Sequence, residues 1–207
     1  CIIDDQIVCD ASREEIIRRY YAALCEQKEN ATQSETVGKI ELIMKQAGVS
    51  VNDRVVVASA NAKAEATDGP AAAMQLPDGT IVTGKTSPLL GASAALILNA
   101  LKTLAGIPDE AHLISPSVIE PVQHLKVEHL GNHNPRLHVD EILIALSISA
   151  VSSKRAALAL EQIDKLKGCE AHSSVILAST DARTFKKLGV NMTCEPKYQI
   201  KKLYHAK

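Results

Sequence analysis

The run Gly79-Thr-Ile-Val-Thr-Gly-Lys-Thr86 fits the phosphate-loop spelling G-x-x-x-x-G-K-[ST], and its neighbours decide how it must fold. Pro77-Asp78-Gly79 lies between two apolar runs, residues 71–76 and 80–83, which is the pattern of a hairpin turn. Ile81 and Val82 are adjacent β-branched residues that favour extended backbone. A strand cannot also be the compact loop whose backbone N–H groups wrap the phosphates of a nucleotide. What survives is Gly84-Lys85-Thr86-Ser87, leading into Pro88 and a long apolar stretch. The spacing predicts a helix over 88–105 with Ser87 as cap and Pro88 at its first position. Lys85 and Thr86 would then stand at a helix start, where backbone donors and the dipole favour an anion. The competing view of Lys85 is an exposed lysine at the end of a hairpin.

A chain of 207 residues with 46% apolar and 23% charged residues can bury a substantial core. One Phe, four Tyr and no Trp leave that core to Ala, Val, Ile and Leu, which suits helices packed on a sheet. The net charge of −1 offers no basic field to recruit nucleic acid or a membrane surface. Cys1, Cys9, Cys25, Cys169 and Cys194 are odd in number and lack C-x-x-C spacing, so reduced cytosolic thiols are expected. No run reaches transmembrane length and no signal-peptide pattern is present. A chain that starts at Cys1 inside an apolar run reads as part of something longer.

Residues 1–9 read as a strand interrupted by Asp4-Asp5. Ser12-Arg-Glu-Glu15 reads as a capping box opening a helix with Ile17, Tyr21 and Leu24 on one face. A second helix opens at Ser34, shows Val37, Ile40, Met44 and Ala47, and closes at Gly48. The polar link 28–33 makes the two a helical hairpin. Residues 54–58 read as a buried strand and 60–66 as an alanine-rich helix. Prolines break 108–121, and helices are expected over 140–150 and 153–167. The end reads as strand 173–178, helix 180–188 and strand 190–194, a βαβ unit, before a basic solvated tail from Lys197. Interleaved strands and helices make the class α/β, with residues 1–50 as a hairpin subdomain and 51–207 as the main domain.

Four of the seven histidines fall between His124 and His138. Within that stretch Asn132-His133-Asn134-Pro135-Arg136 has turn composition and precedes a buried helix. Imidazole, carboxamide and guanidinium together suit a phosphate or carboxylate, with His133 or His138 as proton carrier and Asn132, Asn134 and Arg136 as ligands. The same residues also suit a turn whose side chains cap their own backbone. His129, His133 and His138 admit a metal reading, but Gly131 and Pro135 argue against the helix that would align them, and no zinc pattern accompanies them. No cofactor is indicated. Glu170 and His172 pair a carboxylate with an imidazole at a strand edge. The cysteines lack a neighbouring base and do not read as nucleophiles.

Glu15-Ile-Ile-Arg-Arg-Tyr-Tyr21, Leu76-Pro-Asp-Gly-Thr-Ile-Val-Thr-Gly-Lys-Thr-Ser87, His129-Leu-Gly-Asn-His-Asn-Pro-Arg-Leu-His138, Glu141-Ile-Leu-Ile-Ala-Leu146 and Lys187-Leu-Gly-Val-Asn-Met-Thr193 resemble one bacterial family. It is the uncharacterised family catalogued as domain of unknown function 1846, and the likeness is to its C-terminal part over the whole chain. The resemblance implies a cytosolic protein more than twice this length, whose N-terminal half carries its own glycine-rich segment. It implies a layered α/β/α sandwich with a mixed sheet, reminiscent of cytidine-deaminase topology, although the H-x-E and P-C-x-x-C signature is missing here. A peptidase label has been attached to the family, but no peptidase motif is present, and the resemblance assigns no catalytic residue.

The expectation is therefore an enzyme portion that takes an anionic, phosphate-bearing small molecule, with Lys85 and Thr86 facing the 132–138 loop. Its partners would be that ligand, the N-terminal half of the longer protein and a second copy of the chain. An assembly module built on the helical pair and a metal hydrolase are the alternatives.

Overall fold

A computed structural model describes residues 4–29 and 34–199. Residues 1–3, the centre of the expected helical link (30–33) and most of the basic tail (200–207) lie outside the described residues.

The molecule is an α/β/α sandwich on a four-stranded mixed sheet, with a helical pair at its N-terminal end. The strands are β1 (Ala71–Gln75), β2 (Ile81–Lys85), β3 (Glu170–Ser173) and β4 (Asn191–Cys194), in the order β2-β1-β3-β4. β1 is antiparallel to both neighbours, while β3 and β4 are parallel. Side chains alternate across the sheet. Ala72, Met74, Val82 and Ala171 therefore join the main core, with α4 (Ala92–Leu104), α6 (Val139–Ala150), α7 (Lys154–Leu160) and α8 (Ser179–Leu188). Ala73 and Ile81 face the other way, onto Val56 and Ala60 of α3 (Val55–Thr67). Ile17 and Tyr21 of α1 (Asp5–Glu29) pack with Val49 and Val57 on that same layer. α2 (Ser34–Ala47) lies against α1, and α5 (Pro116–His124) runs into a single π-helical turn at Leu125–His129.

At Gly84 the layers approach closely. A Cβ there would stand 2.2 Å from the backbone nitrogen of Leu96 and 2.6 Å from the Ala92 carbonyl, so α4 rests on β2 backbone to backbone. Just before β2, the Thr80 carbonyl accepts from the N–H of Leu76, which turns the backbone of residues 80, 82 and 84 toward β1 and that of residues 81, 83 and 85 toward the open margin. There Asn99 Nδ2 donates to the Thr83 carbonyl at 2.8 Å.

Several expected elements differ. Residues 5–9 of the expected strand are helical, and its residues 1–3 lie outside the described residues. Asp4 Oδ1 accepts from the N–H groups of Gln6 and Ile7 at 2.9 and 3.1 Å, so the acidic pair caps a helix instead of breaking a strand. Ser12 consequently lies inside α1 and donates to the Val8 carbonyl; it opens no capping box. Residues 55–58 begin α3: the β-branched run is overridden by the alanine-rich segment it leads into and by a 3-10 turn in which the Asp53 carboxylate takes the Ser50 N–H at 2.8 Å. Ser87 and Pro88 form a turn, with the Leu90 N–H donating to Ser87 Oγ, and α4 starts at Ala92 behind Gly91. The 153–167 helix stops at Leu160 and resumes as a 3-10 turn, Ile163–Leu166. The expected 173–178 strand is displaced to Glu170–Ser173, the segment that has strand partners on both sides.

Candidate functional site

β2, β3 and β4 run in one direction and β1 in the other, so one margin of the sheet collects three carboxyl ends. Open α/β sheets hold ligands outside that margin. The three long helices that leave it start there too: α4 behind Gly91, α6 behind His138 and α8 behind Ala178. All three cap residues border one cavity of about 340 Å³, whose polar wall includes Thr86, Asn134, Arg136, His138, Ser173 and Asp181. First-turn N–H groups lack partners inside a helix and carry the positive end of its dipole; at α6 the Asp181 carboxylate already takes one of them, the Val139 N–H.

Two loops far apart in sequence are clipped together to make this wall. The Leu137 N–H donates to the Leu89 carbonyl at 3.0 Å and the Gly91 N–H to the Leu137 carbonyl at 3.3 Å. Arg136 Nε donates to the Ser87 carbonyl at 2.8 Å, and its backbone N–H to Asn134 Oδ1 at 3.1 Å. Buried Lys126 braces the loop from behind, donating to the Arg136 carbonyl at 2.8 Å and pairing with Glu141 at 2.7 Å. Glu141 in turn accepts the His138 N–H at 2.7 Å.

His138 Nδ1 lies 3.3 Å from Asp181 Oδ1, which also accepts the Val139 N–H at 2.9 Å. The hydrogen bond to that carboxylate raises the His138 pKa above the ordinary imidazole value, against the opposing effect of burial. The His138 imidazole with its raised pKa, the Arg136 guanidinium and three helix starts thus border one cavity, together with the carboxylates of Asp181 and Glu29.

The expected site residues separate into two sets. Thr86, Asn134, Arg136 and His138 come together on this cavity. Asn132 and His133 sit exposed on the loop before it and are not part of its wall. Lys85 is exposed and borders a different cavity, of about 560 Å³, with Lys63 and Lys102. Thr86 and Arg136 therefore share one cavity, and Lys85 borders another. Among the described residues no three His, Cys, Asp or Glu side chains are grouped to hold a metal; His124 and His129 merely approach each other, ring centres 5.5 Å apart. Asp181 and Ser173 are wall residues that sequence reasoning missed. Asp181 could be read only as a dipole-compatible acid in the first turn of α8, because its partner His138 is on another helix.

A second polar cluster lies on the α1–α3 side of the sheet. The Arg54 guanidinium is fully buried and meets Glu14 and Glu170 through Nη1. Its Nη2 donates to the carbonyls of Ala171 and Asn191 at 2.9 and 2.8 Å, and its Nε to Thr193 Oγ1 at 3.2 Å. Beside it His172 Nδ1 is 2.8 Å from Thr193 Oγ1, and its Nε2 is 3.4 Å from Glu195. The neighbouring His172 imidazole and the Asn61 carboxamide hold Glu195 down to about 2, whereas burial lowers the His172 pKa. Arg54 is saturated with partners, which is the behaviour of a structural joint.

The sequence model described as domain of unknown function DUF1846, C-terminal, matches residues 52–204, and that of the N-terminal domain matches residues 1–48. A UPF0371 protein of Corynebacterium urealyticum is 52% identical over 204 residues, covering 99% of this chain and 41% of the relative. One of Corynebacterium aurimucosum is 51% identical, covering 100% and 42%, and one of Streptococcus pyogenes serotype M5 is 53% identical, covering 98% and 41%. The chain thus spans about two fifths of the length of these relatives. Among the described residues no helix is long and apolar enough to cross a membrane. With both sequence models and close relatives agreeing along its length, the chain belongs to the uncharacterised DUF1846 family, and the relatives it matches here are named UPF0371 proteins.

Proposed function

We propose that the cavity at the strand ends binds an anionic, phosphate-bearing small molecule, and that the chain is part of a cytosolic enzyme in which His138 carries a proton. The observation that supports this is the meeting of three helix N-termini around one cavity with Arg136. Phosphate fits such a wall because its oxygens accept from backbone N–H groups, hydroxyls and guanidinium at once. Thr86 and Ser173 supply hydroxyls, and Asn134 a carboxamide. His138, whose pKa is raised by its contact with Asp181, would be the group that protonates a leaving oxygen. Glu29, at the end of α1, also borders the cavity, so the wall includes residues matched to both family domains. Sites between domains are common places for ligands.

Calorimetric titration with inorganic phosphate and a panel of phosphomonoesters tests the reading. Binding is expected in the unmodified chain, about tenfold weaker in Arg136→Met and unchanged in Lys85→Ala. The absence of binding to phosphate and to the whole panel, or a loss in Lys85→Ala equal to that in Arg136→Met, would overturn it.

A further inference from the structure

The N-terminal helical pair is only half used by this fold. α1 buries Ile17, Tyr21 and Ala23, none of them in its first half, and Ile17 and Tyr21 hold it to the sheet layer through Val49 and Val57. Residues 4–13 are exposed throughout. On the remaining face α1 and α2 form an apolar groove of about 890 Å³ whose walls are Ile7, Val8, Ala11, Ile16, Ile40 and Ile43. Ile7 is 66% and Ile43 49% exposed. Glu15, Arg19 and Glu26 border the same groove. A contiguous apolar hollow with charged residues at its border is the form of an interface.

The occupant is indicated by where the family domains fall. Residues 1–48, the two helices that make the groove, match the family's N-terminal domain, while the sandwich beneath matches the C-terminal one. More than half of the length of the relatives lies outside the region matched by this chain. A domain closes its elements around one shared core, so helices that belong to the N-terminal domain should offer that core their free apolar face. We propose that this groove seats an apolar face of the remaining N-terminal domain in the longer family proteins. The helical pair is then the piece of that domain that rests on the C-terminal sandwich, tied to it by the buried Arg54–Glu14 contact. This inference is independent of the anion cavity, since the groove and the cavity share no wall residue.

The test uses the full-length Corynebacterium urealyticum protein. Single cysteines are placed at the positions aligned with Ile40 and Ile43, and a control cysteine at the position aligned with Ile144, which is 61% exposed on α6. Maleimide labelling is followed peptide by peptide in the mass spectrometer. The groove cysteines are expected to react at least about tenfold more slowly than the control in native protein and equally fast in denaturant. Native rates matching the control would overturn the proposal. Slow labelling that disappears on dilution would also overturn it, because a second copy would then be the cover. Should the cysteine variants misfold, hydrogen exchange on the unmodified relative reads the same question. Amides aligned with residues 5–16 are expected to exchange as slowly as those of α4, and exchange at the rate of a frayed helix end would sink the idea.

Discussion

At the scale of single residues, His138 shows how a cap becomes a chemical group. Its backbone opens α6, and its ring nitrogen meets the carboxylate of Asp181 at the start of α8. Because that contact raises the folded-state pKa, protonated His138 stabilises the fold. The stabilisation is fully present below the ordinary imidazole value and is lost as pH rises through the raised one. In NMR titration His138 is expected to titrate above 6.5, and Asp181→Asn should move it back toward that value. The stability gap between the parent chain and His138→Gln, read from urea unfolding, should be larger at about pH 5.5 than at about pH 8.5. Sequence reasoning reached the loop that supplies this residue, because turn composition before a buried helix marks exposed donors. It could not tell that of His133 and His138 only the second borders the cavity. That choice is made by the Leu137 bridge to Leu89 and Gly91, a tertiary contact that turns the second half of the loop inward.

At the scale of elements, α4 and β2 are held at a spacing that only glycine permits. Gly84→Val is expected to push the helix off the sheet and to lower stability by about 3 kcal/mol, visible in the urea midpoint. Because the first turn of α4 also borders the cavity, the same variant should weaken phosphate binding in calorimetry. The β1–β2 hairpin was legible from Pro77-Asp78-Gly79 between apolar runs, and so were α6, α8 and the parallel return of β4, whose periods and terminators agree with their packing. The start of α1 and the 55–58 run were not. An Asp pair can break a strand or cap a helix, and three adjacent valines can lie in either element, so local preference left the outcome to longer-range contacts.

At the scale of the whole molecule, the hairpin and the sandwich are joined by one buried cation. Arg54→Met removes the shared partner of Glu14 and Glu170 and is expected to cost about 3–5 kcal/mol in urea unfolding. Replacing Glu14 by Gln as well should add less than the sum of the two single effects, because both act on one contact. Nothing in the local sequence around Arg54 announced this joint, since its five partners come from α1, β3 and β4. The open margin of β2 has its own consequence. With Asn99 plugging the Thr83 carbonyl and the Lys85 ammonium standing at the end of the strand, two molecules meeting there would find a blocked acceptor and facing like charges. The lysine that looked like a phosphate ligand is thus placed to act as a fence post, keeping the sheet from being zipped into its neighbour's.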